Sequence, residues 1–194
     1  MLKLLLLPLC LAVAMADVWP MPASVQTGHA DAVLASRSTF KIAVPVSAIL
    51  KTAADRYIDL VFTHEDFGAH PSSATDITVL QVTVDDVDES HPQFAEDESY
   101  TLSTNGQTAT LHAKTVWGAM HGMETFSQLV RFDFDLGYHT IVDGTGIKIT
   151  DSPRFPHRGL MVDTARHYET LPSLKAMVAS LPYSKINVLH WCVL

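Results

Sequence analysis

The chain has 194 residues, 47% of them hydrophobic, and a formal net charge of -8. That is apolar material for one large domain or one and a half. The acidic balance speaks against nucleic acid and anionic membrane as partners, because both need clustered positive charge.

The first stretch, "MLKLLLLPLCLAVAMA", carries one positive charge, Lys3, and then a leucine-rich run. Ala14-Met15-Ala16 closes it with a small-x-small pattern, so residues 1–16 read as a signal peptide and the mature chain is expected to begin near Asp17. The run is shorter than the ~20 apolar residues of a spanning helix. A secreted or lysosomal (vacuolar) location is the expectation. Cys10 falls within that signal, which leaves Cys192 alone in the mature chain and no intrachain disulfide. No Asn-x-Ser/Thr sequon occurs.

After the proline-containing segment "VWPMPASVQTG", Phe40 to Val44 alternate as a strand. Residues 47–62 then place Ile49, Ala53, Tyr57 and Val61 four apart, which predicts an amphipathic helix with Ser47 as its N-cap. "HEDFGAHPSSAT" reads as loop, and "ITVLQVTV" (77–84) as a strand. "SYTLSTNGQTATLHA" predicts a hairpin turning at Asn105-Gly106. Residues 115–130 predict a second helix, with Val116, Met120, Met123 and Val130 near one face. "GIKIT" supplies a short strand before a proline-punctuated linker. The order to residue 150 is that of an α+β layer, its helices against one face of a sheet.

Beyond Pro156 the pattern changes. A strand over 158–163, a helix over about 171–181 and a strand over 186–191 make one βαβ unit of parallel sheet. Pro182 falls where that helix should finish and is expected to shorten it by a turn. Both strands read as buried on two faces, which requires neighbouring strands and covering helices. The chain stops at Leu194 before any appear, so the unit is expected to open a larger α/β domain.

The acidic run 85–98 lacks the glycine turn and ligand spacing of a calcium loop and reads as a solvated loop. The ten histidines include no H-E-x-x-H, and His64 and His70 flank a loop without cysteine partners, so no metal site is assigned. No nucleophile elbow or phosphate-cradling loop is present. The polar end of strand 158–163 stands apart. In parallel α/β domains, ligands gather at the carboxyl ends of strands. Arg166 and His167 lie just past that end, and His190 lies near the end of the next strand. A guanidinium there suits sugar hydroxyls as well as carboxylates, with Asp163 orienting its fork. The same residues equally suit an Asp163–Arg166 pair that merely staples the loop.

"SPRFPHRGLMVDTARHYETLPSLKAMVASLPYSKINVLHW" resembles the opening of the catalytic barrel of β-N-acetylhexosaminidases, glycoside hydrolase family 20. Upstream, "VWPMPASV", "ESYTL" and "AKTVWGAMHGMETFSQLV" resemble the accessory α/β domain that precedes that barrel. The resemblance implies a zincin-like accessory domain over 17–150 and an incomplete (β/α)8 barrel over 151–194. It also implies that Arg166 holds two hydroxyls of a terminal N-acetylhexosamine, supported by Asp163, His167 and His190. The implied reaction is retaining hydrolysis in which the sugar's own acetamido carbonyl attacks the anomeric carbon, an exception to the two-carboxylate scheme. N-acetylhexosamine-containing glycans are the implied partners, no cofactor is implied, and the resemblance admits a homodimer of the full-length form. The family's catalytic Asp-Glu pair lies on a later strand, so no catalytic residue is assigned in this chain, and the chain alone is expected to be inactive. The family usually continues "HWH"; here His190-Trp191 is followed by Cys192-Val193-Leu194, as a frame or splice change would produce. Two further readings are a non-catalytic secreted form that binds or pairs with full-length subunits, and an incomplete gene model.

Overall fold

A computed structural model describes residues 18–68 and 76–193. The signal-peptide reading and His70 lie outside these residues. The larger sheet has six strands: β1 (Ser24–Gln26), β3 (Lys41–Ala43), β4 (Val79–Asp86), β5 (Tyr100–Asn105), β6 (Thr108–Thr115) and β9 (Lys148–Asp151). Their spatial order is β1-β9-β5-β6-β4-β3, with β3, β4 and β6 parallel and the others antiparallel.

Two helices cover one face of this sheet, as the alternation of its strands requires. Leu80 and Val82 on β4, Leu102 on β5, and Ala109, Leu111 and Ala113 on β6 are buried, while Gln81, Thr83, Thr101 and Thr110 between them are exposed. Helix α1 (Ala48–Val61) buries Leu50, Ala53, Ala54, Tyr57 and Val61. Its Ser47 cap accepts a 3.0 Å hydrogen bond from the Leu50 amide, as the sequence predicts. Helix α2 (Val116–Leu129) is capped by Thr115 and buries Val116, Met123 and Phe126 fully; Met120 and Val130 are only partly buried. Gly122 brings α2 down onto β6, because a Cβ there would lie 2.2 Å from a Leu111 methyl. The hairpin turns at Asn105-Gly106, where Gly106 adopts φ +54.

A second, three-stranded sheet was not foreseen. It consists of β2 (Ala32–Val33), β7 (Arg131–Asp133) and β8 (Tyr138–Ile141), in the order β2-β8-β7. The segment "VWPMPASVQTG" likewise supplies β1, which pairs with β9 through Val25 and Ile149. These strands are two to four residues long, too short to show a period of their own.

The third layer is the βαβ unit: β10 (Gly159–Asp163), α3 (Leu171–Ser180) and β11 (Val188–Cys192), its strands parallel. Helix α3 ends at Ser180, one residue before the predicted end, and gives way to a 3-10 turn over Leu181–Ser184 containing Pro182. Strand β11 begins at Val188, two residues later than predicted: the Ile186 amide still bonds back to Leu181 O in the turn, and the Asn187 amide is the first to reach across to Arg158 O. Among the described residues of this chain the two strands lack the neighbours and covering helices that their apolar residues call for. Leu160, Met161 and Trp191 are exposed by 38%, 59% and 46%, and α3 has no buried residue.

Candidate functional site

Strand β10 delivers Asp163 to its carboxyl end, and the chain then turns back on that carboxylate. Asp163 Oδ1 accepts from the amides of Ala165 at 3.0 Å and Arg166 at 3.1 Å, and Oδ2 accepts from Arg166 Nε at 2.5 Å. The Arg166 amide, then its guanidinium, hold the Asp163 carboxyl below the usual carboxylate range. Thr164 ties the same turn to β11: its amide donates to Cys192 O at 3.1 Å, and its Oγ1 accepts from Trp191 Nε1 at 3.0 Å. The turn is therefore held from both strands, while the Arg166 side chain remains 75% exposed.

The structure brings together Asp163 and Arg166 but not the two histidines. His167 is exposed and only adds its charge to the field that favours ionised Asp163. His190 is exposed and pairs in register with Met161, two residues before the strand ends. Strand alternation places His190, Met161 and Asp163 on one face of the ribbon. Among the described residues no group of three or more His, Cys, Asp or Glu side chains has a metal-holding arrangement.

What lies behind that ribbon was not read from the sequence. Glu98, at the close of the run read as a solvated loop, is buried and forms an ion pair with Arg158, the residue before β10. Its other oxygen accepts from Asn187 Nδ2 at 3.3 Å, and His121 Nε2 lies 3.5 Å from the carboxylate. Burial raises the affinity of Glu98 for a proton, but His121 and Arg158 beside it prevail and hold it below its ordinary range. Arg158 also donates to Lys185 O at 2.7 Å and Phe155 O at 2.9 Å. A second buried contact joins Lys185 Nζ to Asp151 Oδ2 and to the Tyr100 hydroxyl, each at 2.8 Å. Burial opposes ionisation of Asp151, yet Lys185, Tyr100 and the Ala23 amide hold it below its ordinary range. The clue was a lysine and an arginine at the starts of two apolar strands, where an unpaired charge is costly.

Such an arrangement defines an α/β protein with its polar groups gathered where parallel strands end, joined by buried ion pairs to a two-layer domain. Residues 18–129 match the family described as "beta-acetyl hexosaminidase like", and residues 155–194 match "Glycosyl hydrolase family 20, catalytic domain". The chain belongs to the family 20 β-hexosaminidases. Among curated relatives it is similar to the β-hexosaminidase subunit beta of Felis catus, 40% identical over 192 positions covering 93% of this chain and 35% of that one. It is also similar to subunit B2 of Dictyostelium discoideum, at 37% identity over 90% of this chain and 31% of the relative. This chain thus spans about a third of the relatives' length. Among solved structures, the Flavobacterium johnsoniae chitobiase superposes with a TM-score of 0.68 at 25% identity, over 90% of this chain and 26% of that one. The Streptomyces plicatus N-acetyl-β-hexosaminidase in complex with Thio-NAglucal shares the fold with a TM-score of 0.64, over 91% of this chain and 34% of its own.

Proposed function

We propose that this chain contributes to hydrolysis of terminal, non-reducing N-acetylglucosamine or N-acetylgalactosamine from glycans. In this reading residues 17–150 are a zincin-like accessory domain, and residues 151–194 open an eight-stranded (β/α)8 barrel. Arg166 binds hydroxyls of the terminal sugar, Asp163 sets its fork, and His167 and His190 line the approach. The general acid and the acetamido-orienting aspartate belong to a later strand outside residues 1–194, so the chemistry is substrate-assisted but not completed here. A signal peptide over residues 1–16 directs the protein to secretion or to the lysosome or vacuole, and the full-length form assembles as a homodimer.

One observation carries this reading. The region that matches the catalytic domain places an oriented, exposed guanidinium at the carboxyl end of a parallel strand, where α/β enzymes bind ligands. The two hydrogen bonds from the turn's amides to Asp163 leave that guanidinium pre-aimed and open to a ligand. Sequencing and expressing the transcript that encodes residues 1–194 tests the reading. A frame that continues into an Asp-Glu pair and yields a protein cleaving a chromogenic N-acetyl-β-hexosaminide supports it. A stop codon directly after Leu194 favours the non-catalytic partner form.

A further inference from the structure

The three-stranded sheet carries a feature that neither the strand-end site nor the buried junction uses. Phe132 on β7 is ringed by aromatic neighbours: Phe134 at 5.0 Å, His64 at 4.8 Å, Phe67 at 5.7 Å and His139 at 5.0 Å between ring centroids. Phe67 and Phe134 are 71% and 67% exposed, so the cluster turns aromatic faces outward. These are not loose side chains on a mobile tip. The amides of Phe67 and Gly68 both donate to Gly137 O, at 2.9 and 3.1 Å. A Cβ on Gly68 would sit 1.9 Å from Leu136 O, and one on Gly137 would sit 2.8 Å from the Phe67 ring. Gly137 also holds φ +77. Asp133 Oδ1 accepts from the amides of Asp135 and Leu136, each at 2.9 Å, fixing the hairpin tip that bears Phe134. Below, His139 Nδ1 donates to Asp66 Oδ1 at 3.0 Å, so the platform rests on a fixed base.

The charge around the rings selects the occupant. Residues 63–68 and 131–137 contribute Glu65, Asp66, Asp133 and Asp135 against a single arginine, Arg131. Strand alternation turns Arg131 and Asp133 alike away from the face that holds Phe132. Asp66 is taken up by His139, which leaves Glu65 and Asp135 as the exposed carboxylates of these segments. Aromatic faces bordered by carboxylates attract cations through the ring quadrupole and the carboxylate charge together. They repel sulfated or sialylated glycans and anionic lipid. The flat rings also match the apolar face of a pyranose, and a locked platform loses little freedom when it is covered.

We infer that the exposed Phe67–Phe132–Phe134 platform is a docking surface for an amino-sugar chain bearing free, protonated amines. The choice of a sugar over a basic peptide rests on the proposed function; the platform and its charge do not.

Isothermal titration of the purified chain at mildly acidic pH tests the inference, with three probes: a β-1,4-linked glucosamine hexamer, the N-acetylglucosamine hexamer and hexalysine. The glucosamine hexamer should bind at least tenfold more tightly than the other two. Phe134→Ala should weaken it at least tenfold without lowering the melting temperature, since most of that ring is already in water. Asp135→Asn, which removes charge from the same tip and no apolar contact, should erase the preference over the N-acetylated hexamer and carries the test if Phe134→Ala folds poorly. No heat with the glucosamine hexamer overturns the inference. So does binding indifferent to both variants, equal binding of the acetylated hexamer, or hexalysine binding as tightly as the sugar. Hydrolysis is not the readout, so failure here leaves the glycosidase reading standing, and failure of that reading leaves the platform's cation preference measurable with hexalysine.

Discussion

Lys185 Nζ lies 2.8 Å from Asp151 Oδ2, so a residue in the turn that leads into β11 is fixed to the residue that closes β9. Both side chains are almost out of water, at 6% and 11% exposure, and the Tyr100 hydroxyl bonds to each. Through this contact and Arg158–Glu98, the two strands whose far ends carry the candidate site are tied at their entry ends to a residue of β9 and a residue beside β5 in the six-stranded sheet.

The first prediction concerns that contact. Asp151→Ala leaves an ammonium buried with only a hydroxyl partner, and breaking a buried pair from one side costs about 3–5 kcal/mol. Lys185→Met should cost less, because Asp151 keeps the Tyr100 hydroxyl and the Ala23 amide as donors. Urea unfolding of the two variants checks the order. A loss below ~1 kcal/mol for Asp151→Ala would rank the pair with exposed bridges.

A second prediction concerns pH. His139 is 1% exposed and its Nε2 has no hydrogen-bond partner among the described residues, and burial pulls its pKa below the ordinary 6.5 despite Asp66. The unfolded chain therefore binds this proton more readily than the folded one. Stability is fully present above about pH 6.5 and is lost as pH falls through the lowered folded value. Asp151 and Glu98, also lowered, are lost only further down, below the ordinary carboxylate range. Melting temperature measured from pH 7.5 downward should begin to fall near 6.5, and His139→Gln should flatten that first step while leaving the later one. An unchanged first step in His139→Gln would assign it to another group.

The elements that were legible in the sequence are those whose cause is local. The Ser47 cap, the fourfold spacing along α1 and the Asn105-Gly106 turn each act within a few residues, and the structure shows all three. Strands β1 and β2 were not legible, because each gains its hydrogen bonds only from a distant partner, as Ala32 does opposite Ile141; β7 and β8 pair with each other locally but are too short to show an alternation. The candidate site divides along the same line. Asp163 and Arg166 are three residues apart at a strand end and could be paired from sequence. Glu98 and Arg158 are separated by 60 positions, and Glu98 sits in a run whose composition is that of a solvated loop.

A third prediction is that residues 1–194 alone do not hydrolyse a chromogenic N-acetylhexosaminide above background. General acid catalysis contributes about 10²–10⁴-fold, and the proposed reading places that acid on a later strand. The apolar residues Leu160, Met161 and Trp191, exposed on the two-stranded ribbon, should also drive self-association. Size-exclusion chromatography coupled to the assay measures both at once. Turnover from a clean monomer peak would contradict the placement of the acid.

The fourth prediction decides what Arg166 is for. The pair it forms with Asp163 is one-sidedly wet, with Arg166 75% exposed and Asp163 14% exposed. Exposed pairs contribute about 0–1 kcal/mol, and the two backbone amides on Asp163 hold the turn whether or not the guanidinium is there. Stapling is therefore a minor use of this side chain. In a protein where this chain continues through the catalytic residues, Arg166→Lys keeps the charge but loses the planar fork. Each hydrogen bond from a charged donor to the sugar is worth about 1.5–3 kcal/mol, so kcat/KM should fall from tenfold to over a hundredfold while the melting temperature barely moves. If stapling were the role, the same substitution would lower the melting temperature clearly and leave activity per folded molecule nearly intact. Calorimetry and kinetics on one preparation separate the two, because the sugar-binding role predicts a large change only in the second.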